Sequence, residues 1–261
     1  MSGKSLANYG GMPCPDLGVV EGHRNILIRD ELAYDTAEQR AKIKVKLLRS
    51  FPSGDLFNDT QELILADEHG QKIHAVVDKA TANRYAKTLV EGNWLSITNF
   101  ALYPVVDGQL RLTSHSFTIH WKPSTLARKL KSLGSGDYFD FVSFERAKSG
   151  LLDHNLCIDL VGRVMNVSIF DEDQQEGSNW DQLYFELENA RLPKEYSDEF
   201  FAGWKTCVDN IIMCILRFAR LETSLGNVRA TTANMCTRIM FNHPCVEVQE
   251  LRQFFVDQEK Q

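Results

Sequence analysis

The sequence predicts an all-β protein, built mainly of strands with a few short helices and arranged as two tandem five-stranded barrels. Three observations support this prediction. From residue 41 onwards, short runs alternate apolar and polar residues, and turn-forming residues separate the runs. Strand-like runs, a helix-like segment and two further strand-like runs follow one another twice along the chain. The length of 261 residues also suits two domains of about 100 residues each.

The first barrel is predicted over residues 40–122, after an N-terminal extension (1–39) that has no assigned fold. Its predicted strands, in chain order, cover residues 41–51, 61–67, 71–78, 93–104 and 110–121. Between the third and fourth strands, residues 79–92 have helical composition, with Tyr85 and Leu89 on one face. A strand, a hairpin, a helix and a second hairpin follow each other in this order in the OB-fold, a five-stranded barrel.

Residues 123–150 are predicted to connect this barrel to a second one over residues 151–261. The predicted strands of the second barrel cover 155–170, 181–190, 210–226 and 227–242, and its helices cover 194–204 and 244–255. Gly162 is expected to bend the long first strand. Only seven residues separate Glu188 of the second strand from Tyr196 of the helix. The second barrel is therefore predicted either to lack its third strand or to close in an unusual way.

Charge is unevenly distributed along the chain, whose formal net charge at pH 7 is −6. Residues 40–136 carry 14 basic and 8 acidic side chains, whereas residues 137–261 carry 12 basic and 21 acidic side chains. The first half therefore suits a groove that follows a phosphate backbone. A solvated basic surface without a ligand would have the same composition, so both interpretations stay open.

Several classes of function have no support in the sequence. There is no apolar run of about 20 residues and no signal-peptide pattern at the start, so we expect a soluble intracellular protein. The six cysteines form no CxxC pair, and we expect reduced thiols, mostly in the core. None of the motifs GxxxxGK[ST], HExxH and GxSxG occurs, so no cofactor, metal or enzyme activity is expected. The acidic run 171–173 is interpreted as a solvated loop.

Stretches of both halves resemble a known family. In the first half, DEHGQKIHAVVDKATANRYAKTLVEGNWLSITNFAL (67–102) and LRLTSHSFTIHW (110–121) resemble the first DNA-binding OB domain of the plant replication protein A large-subunit family. In the second half, IDLVGRVMNV, ILRFARL and TRIMFNHPCVEVQELRQFF are similar to the family's second OB domain. The resemblance covers residues 40–255 and implies binding of single-stranded DNA in a groove across each barrel.

The resemblance also implies a cellular role. It implies a nuclear protein that acts in DNA replication, recombination or repair by covering exposed single strands, with RNA left open as a second ligand. The family's small subunits and other replication or repair proteins become candidate partners. The zinc-holding domain that assembles the family's heterotrimer finds no match among the residues of this chain, so trimer assembly is not assumed.

Basic and aromatic residues on the predicted strands are the candidate nucleic-acid contacts. Lys42, Lys44 and Lys46 share one face of the first strand, for which a solvated outer face is the alternative. Phe51 suits a core anchor equally well, and Trp94 could cover the barrel end instead of stacking on a base. The complete set of candidates is Lys42, Lys44, Lys46, Arg49, Phe51, His74, Trp94, Arg111, Lys122, Arg163, Arg220 and Arg229.

Only some of the positions that the family uses to bind DNA carry a suitable basic or aromatic residue in this chain. The basic position of the third strand falls on His74, and the first barrel's usual stacking positions fall on Asp78 and Leu110. The later stacking position of the second barrel falls near Ser224 and Leu225. Each lost stack removes roughly 1–3 kcal/mol of binding free energy. The alternative function is therefore a degenerate OB-fold scaffold that binds proteins and has little DNA affinity. A truncated or mis-spliced copy is a third interpretation.

Overall fold

The computed structural model describes residues 42–53, 59–106, 108–164, 167–170, 182–185, 190–192, 194–207, 211–224 and 227–259. The predicted N-terminal extension, 1–39, lies outside the described residues. The fold is all-β in class, as predicted, with two OB-type units in tandem. No helix within the described residues is long and apolar enough to cross a membrane.

The first unit is a closed barrel. Its elements are β1 (Lys42–Pro52), β2 (Thr60–Ala66), β3 (Lys72–Asp78), α1 (Lys79–Arg84), β4 (Trp94–Pro104) and β5 (Phe117–Lys129). The strands are hydrogen-bonded in the order β1-β2-β3-β5-β4, and β4 pairs with β1 to close the barrel. β3 and β5 run parallel, and the other neighbouring pairs are antiparallel. This topology confirms the OB-type barrel that the order of elements predicted.

The alternating pattern of β1 forms the core as predicted. Ile43, Val45 and Leu47 are fully buried inside the barrel. Tyr85 and Leu89, which were predicted to share one face, both pack against this core from the turn after α1. Burying such apolar side chains contributes roughly 1.5–3 kcal/mol each, which makes this core the main source of the barrel's stability.

The helix after β3 is shorter than predicted. The sequence predicted helix over 79–92, whereas α1 ends at Arg84 and continues as a turn. Asp78 begins the helix, because its Oδ1 accepts a hydrogen bond from the Thr81 backbone N–H at 2.8 Å. At the other end, the Tyr85 N–H bonds to the carbonyls three and four residues before it. This tightened last turn ends the α-helix.

β5 also departs from the prediction. The strand was expected at 110–121, with the domain ending at residue 122, but β5 begins at Phe117 and continues to Lys129. Pro123 lies inside the strand. The predicted connector therefore begins within the last strand of the first barrel.

A bulge lets β5 pass through Pro123. The Thr125 hydroxyl accepts a hydrogen bond from the Lys122 N–H at 2.8 Å and donates one to the Asn99 carbonyl at 2.7 Å. The β4–β5 register shifts at this point, and Asn99 has a φ of 60°. Asn tolerates this left-handed conformation better than most residues. The buried Thr125 thus joins both strands at the bulge. Proline is tolerated at this place because a bulge residue does not need to donate a hydrogen bond to the neighbouring strand.

The second unit follows a short helix, α2 (Phe144–Lys148). Its elements are β6 (Ile158–Arg163), β7 (Val167–Phe170), β8 (Gln182–Phe185), β9 (Ala190–Leu192), α3 (Lys194–Lys205), β10 (Met213–Ser224), β11 (Asn227–Thr232), a 3₁₀ turn (Asn234–Cys236), β12 (Arg238–Phe241) and α4 (Val246–Gln258). The strands are ordered β12-β10-β11-β9-β8-β7, and β6 pairs with β10. This is the strand order of the first barrel, with β6 and β7 together at the place of β1.

Of the two alternatives predicted for the second barrel, the absence of a third strand is wrong, and the barrel instead has an unusually short one. β9 pairs antiparallel with β8 and parallel with β11, which is the position that β3 holds between β2 and β5. The strand occupies only residues 190–192. The length argument assumed a full strand after Glu188, but three residues suffice to bridge two neighbours.

The bend in the last strand occurs in both units. β11 pairs with residues 219–224 of β10, and β12 pairs with residues 214–217, so the two strands together correspond to β5. The Thr237 hydroxyl accepts a hydrogen bond from the Ala233 N–H at 2.7 Å and donates one to the Phe218 carbonyl at 2.9 Å. Phe218 has a φ of 55°, like Asn99 in the first barrel. The two barrels therefore share this detail as well as their topology.

The two barrels share a buried apolar contact, which we call the inter-barrel seam. It is formed by Leu48, Phe51, Ile64 and Ala66 of the first unit and by Cys157, Phe218, Ala233 and Cys236 of the second. At its edge, the Glu91 carboxylate pairs with Arg49 at 3.2 Å and with Arg238 of the second unit at 2.6 Å. The seam therefore holds the barrels against each other through apolar burial and a shared ion pair.

Candidate nucleic-acid interface

A groove of about 670 Å³ lies on the outer face of the first barrel. We call it the β3–β5 groove, because His74 and Val76 of β3 and Thr118 and His120 of β5 form its floor. The end of β4 and the segment between β4 and β5 form its wall, which comprises residues 102–106 and 109–113. The outer face beside the β4–β5 loop is where OB-folds bind oligonucleotides.

Tyr103 is the aromatic side chain most available in this groove. It lies near the end of β4, opposite Thr118, and 45% of its surface is exposed. The edge of the His120 ring meets it, with ring centroids 4.6 Å apart and planes at 69°. This T-shaped contact fixes the phenol ring while part of it remains open to a base. Tyr103 is not among the contacts predicted from the sequence, whose aromatic members are Phe51 and Trp94.

The histidines of the groove floor differ in their partners. His74 Nε2 lies 3.1 Å from Glu62 Oε2. Burial alone would raise the pKa of Glu62, but its hydrogen bond with His74 and the attraction between them outweigh burial and lower it. Burial, assisted by repulsion from His74, lowers the pKa of His120, so its imidazole is mainly neutral at pH 7. His120 therefore offers the groove floor a hydrogen-bonding ring rather than a fixed positive charge.

The groove wall is attached to the second unit through Arg111. The Arg111 N–H donates to the Asn155 carbonyl at 2.5 Å, and the Arg111 carbonyl accepts from the Cys157 N–H at 2.9 Å. The Arg111 guanidinium also forms an ion pair with Asp153. Hydrogen bonds from the Asn155 backbone and from Arg111 lower the pKa of Asp153. Arg111 thus lies at the groove, as expected of a contact, but it is paired with the second barrel.

Asp78 and Leu110, which fill the two positions where the family usually has stacking aromatic residues, both have structural roles. Asp78 caps α1 and is exposed at the barrel end. Leu110 packs against the inter-barrel seam together with Leu112. An aromatic residue at either place would lose the cap or disturb the seam. Asp78 and Leu110 therefore serve the fold of this chain rather than base stacking. Tyr103 lies nearby and is a different candidate for stacking on a base.

The predicted lysine row is divided between two environments. Lys42 and Lys44 lie on the outer face of β1 and are partly exposed. Lys46 is 9% exposed, and its Nζ donates to the Gly136 carbonyl at 2.7 Å and lies 5.9 Å from the Tyr138 ring centroid. The expectation of an unbroken basic row is therefore wrong at Lys46, because the connecting segment covers the end of β1.

Three further candidates are also buried or paired within the protein. Arg49 donates from Nε to the Cys236 carbonyl and from Nη2 to the Met235 carbonyl, both at 3.0 Å, in addition to its ion pair with Glu91. Phe51 lies in the inter-barrel seam, as the core-anchor alternative described. Trp94 is 2% exposed. These three side chains are engaged within the protein, so they are less accessible to a ligand than their strand positions suggested, and their role as contacts stays a prediction.

The remaining candidates lie outside the groove of the first barrel or at its margin. Lys122 follows His120 by two residues at the β5 bulge. Arg163 forms an ion pair with Glu259 and lies 5.7 Å from the Phe255 ring centroid, so it fastens α4 instead of facing a ligand.

Arg220 and Arg229 occupy groove-like positions in the second barrel. Arg220 is exposed, and its Nη1 lies 3.7 Å from Oε1 of Glu222. Arg229 lies opposite Glu222 in the β10–β11 register. The bulges of the two barrels correspond, with Ala219 of β10 in the place of Phe100 of β4. Arg220 therefore corresponds to Ala101, which lies opposite His120 in the first barrel. Both arginines therefore belong to the strands that would form a second groove.

The cysteines that the structure describes do not line the groove. The cysteines at 157, 207, 214, 236 and 245 are free, and burial raises the pKa of Cys157 to about 12. No cluster of three or more metal-ligating side chains occurs among the described residues. The acidic run 171–173 lies outside them.

Comparisons with known proteins give a consistent fold. A family model described as "Domain of unknown function DUF223" matches residues 38–150, which is less than half of the chain. No curated protein matches the chain significantly. The chain is similar to one chain of a replication protein A heterotrimer bound to ssDNA, with 13% identity and a TM-score of 0.53. That match covers 87% of this chain and 54% of the other, so this chain spans about half of its length.

Weaker similarities extend to other DNA-binding proteins. A murine DNA-binding protein bound with double-stranded DNA is 10% identical, with coverage of 77% of this chain and 94% of that chain and a TM-score of 0.42. The HINa domain of Ifi202, in complex with a 20-base-pair duplex, is 12% identical, with coverage of 77% and 95% and a TM-score of 0.43. At such identities, the replication protein A match establishes a shared all-β, OB-type fold, and it extends over both barrels of this chain.

Proposed function

We propose that this chain is a single-stranded nucleic-acid-binding protein of the replication protein A large-subunit type, acting in the nucleus in DNA replication, recombination or repair. The observation that carries this proposal is the β3–β5 groove, which presents the half-exposed Tyr103 and neighbouring imidazoles on an OB-type barrel. The resemblance of residues 40–255 to that family, and the fold shared over 87% of the chain, support it further. No covalent step is part of this function.

The groove would bind a single strand by stacking and by displacing counterions. A base would lie on the open part of the Tyr103 ring, and each such stack contributes roughly 1–3 kcal/mol. His74 and His120 would donate or accept hydrogen bonds at base edges or phosphates. A duplex presents its bases already paired and stacked, so the groove favours single strands.

The second barrel would preorganise this groove. The wall is held by backbone hydrogen bonds between Arg111 and residues 155 and 157, so little ordering is needed when a ligand enters. A ligand site that is already ordered loses less free energy on binding than a flexible loop would.

Fluorescence anisotropy tests the proposal directly. The purified chain is titrated into a labelled single-stranded oligonucleotide of about 30 bases, at low and moderate salt, beside a duplex of the same sequence. We expect saturable binding that prefers the single strand and weakens with salt. Absence of saturable single-strand binding at low salt would refute the proposed function. An RNA oligonucleotide in the same assay establishes which nucleic acid is preferred.

Replacing Tyr103 by alanine should weaken single-strand binding by roughly 5- to 150-fold, because one stack of about 1–3 kcal/mol is lost. Tyr103→Phe should retain most of the affinity, since the ring provides the stacking surface. Phe254→Ala is the matched control, because Phe254 is an exposed aromatic side chain on α4, far along the chain from the groove. Equal affinities of Tyr103→Ala and wild type would remove Tyr103 from the interface.

Exchanging the charges of Arg111 and Asp153 distinguishes two roles of Arg111. If Arg111 holds the wall, Asp153→Asn should weaken single-strand binding several-fold, and the double variant Arg111→Asp with Asp153→Arg should restore it. If Arg111 instead contacts phosphate, Asp153→Asn should strengthen binding, and the double variant should bind poorly. We expect the first result, with an unchanged salt dependence, because the ion pair joins the two units at the groove.

A protein-binding scaffold with little DNA affinity is the second candidate function. The observation that favours it is that Lys46, Arg49 and Phe51, predicted as contacts, are engaged within the protein. Binding to replication protein A small subunits or to other replication proteins would belong to this function or accompany the first. Copurification of such proteins with a chain that fails the anisotropy assay would favour the scaffold.

A further inference from the structure

A second basic surface lies on the first barrel, outside the β3–β5 groove. Lys44 of β1 pairs with Ser96 of β4, and Ser96 pairs on its other side with Arg128 of β5. Lys42 lies two residues before Lys44, on the same outer side of β1. We call Lys42, Lys44 and Arg128 the basic face. Neighbouring strands are about 4.8 Å apart, so these three long side chains emerge within reach of one another.

The basic face is not neutralised by the described part of the protein. No carboxylate among the described residues forms an ion pair with Lys42, Lys44 or Arg128, whereas Arg49, Arg111 and Arg163 each have one. Arg128 is exposed, and Lys42 and Lys44 are partly exposed. The exposed Lys129 and Lys131 continue the positive charge beyond Arg128. Such unpaired positive charge attracts polyanions.

β5 connects the groove with the basic face. Ile119, Trp121 and Ala127 of β5 point into the barrel core. The positions between them, from Thr118 and His120 in the groove to Arg128, therefore lie on the outer side. The β4 partners of Thr118 and Arg128 are Tyr103 and Ser96, which are seven residues apart. At a rise of about 3.3 Å per residue, the two β5 positions therefore lie about 23 Å apart along the strand. A flexible strand that leaves the groove along β5 would arrive at the basic face.

We propose that the basic face is a second phosphate-binding surface, which holds a single-stranded nucleic acid after it leaves the β3–β5 groove along β5. This inference rests on the proposed function and extends it from one groove to a longer path around the first barrel. Phosphates pair with Lys and Arg without regard to sequence. The basic face therefore increases affinity only for strands long enough to occupy both surfaces.

The test compares two oligonucleotide lengths with a neutralised basic face. The variant carries Lys42→Gln, Lys44→Gln and Arg128→Gln, and it is titrated with strands of about 8 and about 30 bases. We expect the affinity for the long strand to fall about tenfold and its salt slope to decrease by about 2, because three phosphate contacts are lost. The affinity for the short strand should stay within about twofold of wild type.

A matched triple variant controls for the loss of three positive charges. It carries Lys87→Gln, Arg146→Gln and Lys205→Gln, all exposed side chains outside the basic face, and it should bind both lengths nearly as wild type does. Circular dichroism melting curves verify that both variants are folded. Equal losses for short and long strands, or equal losses in the two variants, would overturn the second surface while the proposed function stands. An intact affinity of the neutralised variant for both lengths would likewise overturn the second surface. A wild-type chain that binds neither length would overturn both proposals.

Discussion

Replacing Asp159 by alanine is expected to lower the free energy of unfolding by about 3–5 kcal/mol, because a buried carboxylate that accepts two backbone hydrogen bonds and interacts with nearby cations would be removed. Asp159 lies in β6 and is 3% exposed. Its Oδ1 accepts a hydrogen bond from the Phe218 N–H and its Oδ2 accepts one from the Asp140 N–H, both at 3.0 Å. Two backbone donors, one of them at the strained bulge of β10, would lose their acceptor.

Asp159 also balances buried positive charge. Arg217 donates from Nη2 to the Asp137 carbonyl at 2.5 Å and lies 4.7 Å from the Phe139 ring centroid. Burial lowers the pKa values of Arg217 and Lys72, and the attraction of Asp159 opposes the decrease in both. Without Asp159, these cations would remain in a poorly solvated site with less compensation. The alanine variant therefore loses more than two hydrogen bonds.

Urea unfolding, followed by circular dichroism, measures this effect. Asp257→Ala is the control, since Asp257 is an exposed carboxylate on α4 whose partner is the side chain of Gln253. That control should change the free energy of unfolding by about 0.5 kcal/mol or less. A loss below about 1 kcal/mol in the Asp159 variant would mean that the surrounding cations are solvated or paired by other groups.

The sequence predicted which residues share a face of each strand, but not what covers the outer faces. Alternation in β1 correctly placed Ile43, Val45 and Leu47 in the core. The same alternation treated Lys46 as part of an open basic row, although the connecting segment covers it. Period-two patterns report only the inner side of a barrel. The contact between two barrels depends on residues distant in sequence, for which a single sequence offers no local signal.

The errors at strand ends and at the candidate site have related causes. β9 was missed because a three-residue strand has no recognisable period. β5 was predicted too short at its end because the bulge after Trp121 interrupts the alternation that the prediction followed. Alternation alone could not identify Tyr103. In a regular strand it would share a face with Leu95 and Ile97, which are buried, and only the bulge at Asn99 turns it outwards.

Replacing Trp94 by alanine is expected to lower the free energy of unfolding of the first barrel by about 3–5 kcal/mol, because a large buried ring leaves a cavity. Trp94 begins β4, its Nε1 donates to the Gly134 carbonyl at 2.9 Å, and its ring meets Tyr138 edge-on at 6.4 Å between centroids. A Cβ atom added at Gly134 would lie 3.8 Å from Cζ2 of Trp94, so the connecting segment passes close to the ring. Trp94 therefore fastens the connecting segment to the barrel end.

The Trp94 variants separate this structural role from base stacking. Trp94→Phe should retain much of the packing but lose the hydrogen bond, and so lower stability by only about 1–2 kcal/mol. Under conditions in which both variants are folded, their single-strand affinities should stay within about twofold of wild type, since the ring is buried away from the groove. A stacking role would give the opposite result, with a large loss of affinity and little loss of stability. The two measurements together decide whether an aromatic residue on a polar strand face serves the ligand or the fold, which its sequence pattern alone leaves undetermined.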